Sequence, residues 1–294
     1  MNKQFYILDV FAEQKYAGNQ LAVVMDAADL SDEQMQTIAQ EMNYSETTFI
    51  RSGMKSDGGY DVRIYTPTEE LPLAGHPTLG TAFIIQQEIV KEKVEIVSLN
   101  LKAGQIPVTF NYNGNKPGVL WMKHLPPTFG KIFMPEILAD VLSIDIGDIE
   151  TKFPIQEVST GAAFIIIPLK NLDAVKRSVV SKDKYFNLVE SGDSNAIMVF
   201  SSETYNEEND INARMFADYY GIPEDPATGS ANGCLAAYIV KHRYTGDNEI
   251  DLRVEQGYEI NRKSLLLLKA KDTGETIDVN VGGSVHLVAK GELL

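Results

Sequence analysis

The chain has 294 residues, 44% of them hydrophobic and 23% charged, enough apolar material for one large domain or two modest ones with a buried core. A formal net charge of −15 argues against general binding to nucleic acid or anionic membranes, because phosphate contacts need a surplus of lysine and arginine. The single cysteine, Cys234, excludes an intrachain disulfide and a cysteine-rich metal site. A small anionic ligand stays compatible with the acidic balance, since backbone amides can hold one locally.

The first residues reach Asp9 and Glu13 before an apolar signal region could form, and runs such as Ala162–Ile167 are only strand-length. With one cysteine, these features predict a cytoplasmic protein with no membrane partner. Phe5–Phe11 and Leu21–Met25 read as strands joined through an Ala17-Gly18-Asn19 turn. Ser31 and Glu33 open a helix that runs to about Met42, with Met35, Ile38, Ala39 and Met42 at helical spacing. Ser45–Ile50 returns to strand. In Tyr60–Tyr65 the apolar Tyr60, Val62 and Ile64 alternate with Asp61 and Arg63. LAGHPTLGTA then starts an apolar helix, and Val94–Leu101 and Ile106–Tyr112 form a hairpin.

Asn113–Gly118 (NGNKPG) is the best linker candidate. Beyond it a strand is expected at Val119–Met122, a helix at Pro135–Val141, and strands at Ser159–Leu169, Asn195–Phe200 and Ile211–Phe216, followed by EDPATGSANGCLAAYIV as a helix start. Three stretches repeat in the same order: YAGNQLAVV with STGAAFIII, DVRIYTP with NARMFAD, and LAGHPTLGTA with PATGSANGCLA. Gly75 and Gly229 are separated by about half the chain. This predicts an internal duplication into two α+β domains, residues 1–116 and 117–284, with an active-site cleft between them. The last strand, about 285–294, is a candidate to complete the first domain.

Each half thus presents the amino terminus of an apolar helix. Pro77 suits a first turn, and Gly75 allows close backbone approach; Thr228 and Gly229 precede Ser230 in the same manner. Helix amino termini carry unpaired N–H groups and partial positive charge, so two opposed mouths could hold a small carboxylate. The field at a helix mouth also disfavours protonated His76. Asp225 sits just ahead of the second mouth. Glu46 opens an apolar strand, where partial desolvation would raise its pKa toward acid–base use. Alternatives stand beside these readings: ordinary capped helices, a hydrogen-bonded structural His76, a turn-forming Asp225 and a solvated Glu46.

Taken together, NYSETTFI, RIYTPTEELPLAGHPTLGTA, EDPATGSANG and VEQGYEINRKS resemble the PhzF-like family, and the resemblance covers nearly the whole chain to VGGSVHLVAKGEL. It implies the diaminopimelate-epimerase-like fold, two similar α+β domains each wrapping a mostly antiparallel sheet around a central helix. It further implies a homodimer that uses no metal or organic cofactor. By the same resemblance Glu46 is the principal proton-carrying acid–base, and His76 and Asp225 bind substrate and assist proton movement. Gly75, Gly229 and Ser230 form the cradle at the two mouths, and Asn19 belongs to the substrate-binding turn. Two positions depart from the family pattern: Gln20 follows Gly18-Asn19 where many members have proline, and Lys263 stands in Asn261-Arg262-Lys263-Ser264 where the pattern is Gly-Arg-Pro-Ser. Epimerases of related fold use two opposed thiols, whereas here His76 and Ser230 stand at the mouths and Cys234 lies a turn inside, as a core residue. The expectation is a cofactor-independent isomerase that moves a proton on a small carboxylate-bearing substrate. A non-catalytic metabolite-binding protein, or a lyase or hydrolase using the same cleft, is the alternative.

Overall fold

The structure, a computed structural model, describes residues 2–189 and 194–294. It divides into two compact units, one made of the residues up to Lys123 with Gly282–Leu294, the other of His124–Val281. The fold is α+β, rich in strands and sparing in helices. Among the described residues no helix is long and apolar enough to cross a membrane.

The first unit contains β1 (Lys3–Val10), β2 (Asn19–Val24), α1 (Asp32–Met42), β3 (Glu46–Ile50), β4 (Gly59–Tyr65), β5 (Glu70–Leu71), α2 (Gly75–Ile84), β6 (Ile96–Leu101), β7 (Gly104–Asn113) and β8 (Lys116–Lys123). β1 and β2 pair antiparallel, β2 and β3 parallel, β3 and β4 antiparallel. β4 then takes β5 antiparallel and β6 parallel, and β6 pairs antiparallel with β7. α1 is set by its cap: the Ser31 hydroxyl accepts from the Gln34 N–H and the Gln34 side chain returns a bond to the Ser31 N–H. The reciprocal partner is Gln34, not Glu33, because the box needs the third helical residue. Met35 and Ala39 of α1 pack on Val24, Phe49 and Tyr65. α2 is buried at every position, which explains why it has no exposed polar stripe of acidic or lysine and arginine side chains.

Asn113–Gly118 is not a linker. Asn113 pairs with Lys116 and Tyr112 with Pro117, so the Gly- and Pro-rich stretch is the tight turn of the β7–β8 hairpin and both arms stay in the first unit. Turn chemistry and linker chemistry share the same residues, and only the pairing of the flanking strands separates them. Phe11, expected to end β1, instead adopts φ 59°, which stops the strand at Val10.

The second unit contains β9 (Thr128–Phe133), α3 (Pro135–Leu142), β10 (Ile155–Ser159), β11 (Ala163–Pro168), α4 (Leu172–Arg177), α5 (Lys182–Val189), β12 (Ile197–Ser201), β13 (Ile211–Ala217), β14 (Ile222–Asp225), α6 (Gly229–Lys241), β15 (Glu249–Gln256) and β16 (Ser264–Asp272). β10 and β11 pair antiparallel about a turn at Gly161, β11 and β12 parallel, β12 and β13 antiparallel. β13 takes β14 antiparallel and β15 parallel, and β15 pairs antiparallel with β16. α6 is buried from Gly229 to Val240 apart from Ser230. The last strand, β17 (Ile277–Leu293), carries the chain back to the first unit, where its final residues pair antiparallel with β1.

Candidate active site

Two helix mouths gather the residues singled out in the sequence, one in each unit. In the first, α1 ends at Asn43 in the left-handed region, φ 52°, and the reversed chain launches β3 at Glu46. Leu21 of β2 is the parallel register partner of Glu46. α2 begins at Gly75, with His76 its second and Pro77 its third residue, and its N-cap, Ala74, offers no side-chain cap. The first-turn amides are therefore left for some other acceptor.

Side-chain hydroxyls fasten β3 to α2. Thr48 lies on the same strand face as Glu46 and meets the Thr81 hydroxyl at 2.7 Å, while Thr81 also bonds the Pro77 carbonyl at 2.7 Å. Gly80, one helical turn from His76, lets α2 rest directly on the sheet: a Cβ there would come within 2.5 Å of Leu21 Cδ2 and 3.0 Å of Val10 Cγ2. This packing puts His76 Nε2 3.2 Å from Glu46 Oε2. His76 is 5% exposed. Burial pushes its pKa down to about 3, against the opposing pull of a hydrogen bond to the Gln20 backbone. The imidazole is therefore neutral, as the sequence predicted, but desolvation rather than the helix field is the leading cause.

The bonding fixes the tautomer. With one nitrogen donating to the Gln20 backbone, the neutral ring turns a lone pair on Nε2 toward Glu46. Nε2 and Oε2 therefore face each other at 3.2 Å. The same geometry accounts for Gln20: position 20 contacts His76 through its backbone, which a proline would also supply. Asn19, beside it, is the first residue of β2 and is buried.

In the second unit Asp225 ends β14 and is 5% exposed. Its Oδ2 accepts from the Thr228 hydroxyl at 2.5 Å. Thr228 is the N-cap of α6 yet makes no side-chain cap, because its hydroxyl is committed to Asp225. Gly229 and Ser230 are the first two residues of α6, the positions that Gly75 and His76 occupy in α2. The structure thus brings Glu46, His76 and Gly75 together in one unit and Asp225, Thr228, Gly229 and Ser230 in the other.

Cys234 is buried within α6, near the Thr160 hydroxyl and the Ala162 carbonyl, and burial pushes its thiol up to about 12. A thiol so placed is a poor base at neutral pH. Lys263 is exposed, with its ammonium 5.1 Å from the Tyr258 ring centroid, and Tyr258 stacks on Tyr205. The departure at position 263 is thereby met by a cation–π contact. Among the described residues no group of three or more His, Cys, Asp and Glu is placed to share a metal ion.

Sequence reasoning missed the residues that hold these groups in place: Thr48, Thr81, the Thr228 hydroxyl and Gln256. All four stand inside the motifs already quoted, but nothing in a linear pattern says which way a hydroxyl or an amide turns.

The family model for phenazine biosynthesis-like proteins matches residues 8–291. The chain is 32% identical over 289 residues to trans-2,3-dihydro-3-hydroxyanthranilate isomerase of Pseudomonas aeruginosa, covering 98% of each protein. It is 33% identical over 299 residues to an uncharacterized isomerase of Clostridium acetobutylicum, covering 98% of this chain and 97% of that one. A crystal structure of a PhzF-family phenazine biosynthesis protein from Bacillus anthracis superposes with a TM-score of 0.90 at 29% identity, over 100% of this chain and 99% of that one. A hydroxyproline epimerase from Agrobacterium vitis shares the fold alone, with a TM-score of 0.64 at 8% identity over 99% of this chain and 91% of that one.

Proposed function

The chain belongs to the phenazine biosynthesis-like family of isomerases, and from that premise we propose that it moves a proton within a small carboxylate-bearing substrate by carboxylate acid–base catalysis. The observation that carries this reading is the Glu46–His76 contact at 3.2 Å. Glu46 takes a proton from a substrate carbon and returns it to another position of the same molecule, so the reaction needs no redox partner. His76, neutral and anchored on the Gln20 backbone, orients Glu46 and the substrate. Asp225 assists proton movement, Asn19, Gly75, Gly229 and Ser230 bind substrate, and the uncapped amides of α2 and α6 stabilise negative charge as it develops. We further propose a cytoplasmic homodimer working without an organic cofactor.

We also propose that the two units arose by internal duplication, a reading supported by their strand pairings. In each unit the pairings run antiparallel, parallel, antiparallel, antiparallel, parallel, antiparallel, from β1–β2 to β6–β7 and from β10–β11 to β15–β16. In each, the short strand before the buried helix carries a glutamate held by an arginine, Glu70 by Arg63 and Glu224 by Arg214.

The test uses trans-2,3-dihydro-3-hydroxyanthranilate, the compound in the relative's name, as trial substrate in heavy water. Solvent deuterium should enter the product at one carbon, and Glu46→Gln should lower turnover by about 10²–10⁴-fold, the usual contribution of a general acid–base. Undiminished exchange in Glu46→Gln would remove Glu46 from the role.

A further inference from the structure

We propose that Gln256 is the positioning residue of the second helix mouth, holding the Asp225 backbone and, through Thr228, the Asp225 carboxylate. The inference rests on the reading of Asp225 as part of the acid–base site. α6 has no side-chain cap of its own, so something else must order the three residues between β14 and the helix. One fully buried side chain from β15 does so. Gln256 Nε2 donates to the Asp225 carbonyl at 2.8 Å and to the Thr228 hydroxyl oxygen at 3.2 Å. Its Oε1 accepts from the Thr228 N–H at 3.3 Å and from Asn232 Nδ2 at 2.9 Å.

The amide orientation is dictated by its partners. A carbonyl can only accept and a backbone N–H can only donate, so Nε2 must face Asp225 and Oε1 must face Thr228. Thr228 Oγ1 receives the Gln256 bond and passes its own proton to Asp225 Oδ2 at 2.5 Å. The result is a directed chain, Gln256 to Thr228 to Asp225, in which each hydroxyl or amide proton has one destination.

β13 and β15 explain why Gln256 is in range. Gln256 is the parallel register partner of Ala213, and Asp225 is the antiparallel partner of Met215 on the same strand, β13. The following residue keeps the approach close: Gly257 has φ 76°, and a Cβ there would fall 2.7 Å from the Pro226 carbonyl oxygen. The preceding residue, Glu255, is spent elsewhere, accepting from Asn209 and from Asn212 of β13 at 2.9 Å each. Only a primary amide serves at position 256. A carboxylate cannot donate to the Asp225 carbonyl, and a thioether makes neither bond.

Gln256→Glu keeps the shape and loses the donor, Gln256→Met keeps the length and loses all four bonds, and Thr228→Val breaks the relay while sparing the bond to the Asp225 carbonyl. Amide hydrogen exchange and turnover of the trial substrate are measured on all three and the wild type. In both Gln256 variants the amides of residues 225–232 should exchange at least about tenfold faster, with α2 amides unchanged, since a lost buried bond releases its segment locally. kcat should fall about tenfold or more with KM within about threefold, as expected when an acid–base group is misplaced rather than substrate lost. Thr228→Val should lower kcat with little change in exchange. Unchanged protection at 225–232, or lost protection with undiminished kcat, overturns the role of Gln256. A wild type that does not turn over the trial substrate refutes that substrate alone, and the exchange comparison still decides on Gln256. If Gln256→Glu does not fold, Gln256→Met carries the same comparison without a buried charge.

Discussion

Lowering the pH from 7 to 5 should destabilise this protein through two histidines. His76 and His124 are both buried, and burial pushes their pKa values down to about 3 and about 4. In the unfolded chain each titrates near the ordinary value of about 6.5. Between the folded and unfolded values the unfolded chain binds the extra proton, so stability falls as pH falls; above pH 6.5 both states are neutral and the full stability is present. At about 1.36 kcal/mol per unit, the step from pH 7 to 5 costs about 2 kcal/mol for each histidine and about 4 kcal/mol for the pair. The loss from His124 is complete near pH 4 and that from His76 near pH 3. His242, half-buried with its pKa also lowered chiefly by burial, adds in the same direction. The assay is urea unfolding at pH 7 and pH 5, for the wild type and for His124→Gln, whose amide can still meet the Thr160 hydroxyl that His124 Nδ1 contacts at 3.1 Å. His124→Gln should lose about 2 kcal/mol less than the wild type over that interval. Equal losses in the two proteins, or a wild-type loss below about 1 kcal/mol, would refute the linkage.

Gly257→Ala should unfold at a urea concentration lower by the equivalent of about 2 kcal/mol or more, because a side chain at φ 76° is strained and its Cβ meets the Pro226 and Arg262 carbonyls, which are backbone and cannot rotate away; a midpoint within error of the wild type would show that the 257–262 turn relaxes freely. Cys234 should be inert to thiol reagents in the native protein at pH 8, since its pKa is pushed up to about 12 by burial, and should react only at the rate of unfolding; fast stoichiometric labelling in native buffer would contradict its place in the core.

What was legible in the sequence was what neighbours along the chain decide. Alternation in Tyr60–Tyr65 marked β4, and Pro135 with apolar spacing marked α3, because strand and helix periods are written in adjacent residues. The motif order also disclosed the family, since spacing survives where identity falls. Hydrogen-bond partners distant in sequence were not legible. NGNKPG reads as a linker or a turn until β7 and β8 are seen to pair across it.

The sequence by itself determined which groups are available: one carboxylate at the head of an apolar strand, one histidine behind a glycine, one thiol inside a helix, and the glycine-led starts of two apolar helices. Tertiary structure alone decided what those groups can do. The Glu46–His76 contact exists because Gly80 lets α2 lie on β1 and β2 and because Thr48 and Thr81 fasten strand to helix. His76 is neutral because packing removes water from it, a property of surroundings that no local pattern contains. Asp225 is held by a glutamine from another strand, which reaches it only because β14 and β15 follow one another along the edge of β13 opposite β12. Residue types carry the chemistry, but proximity and desolvation, which give that chemistry its direction, arise only when the chain closes on itself.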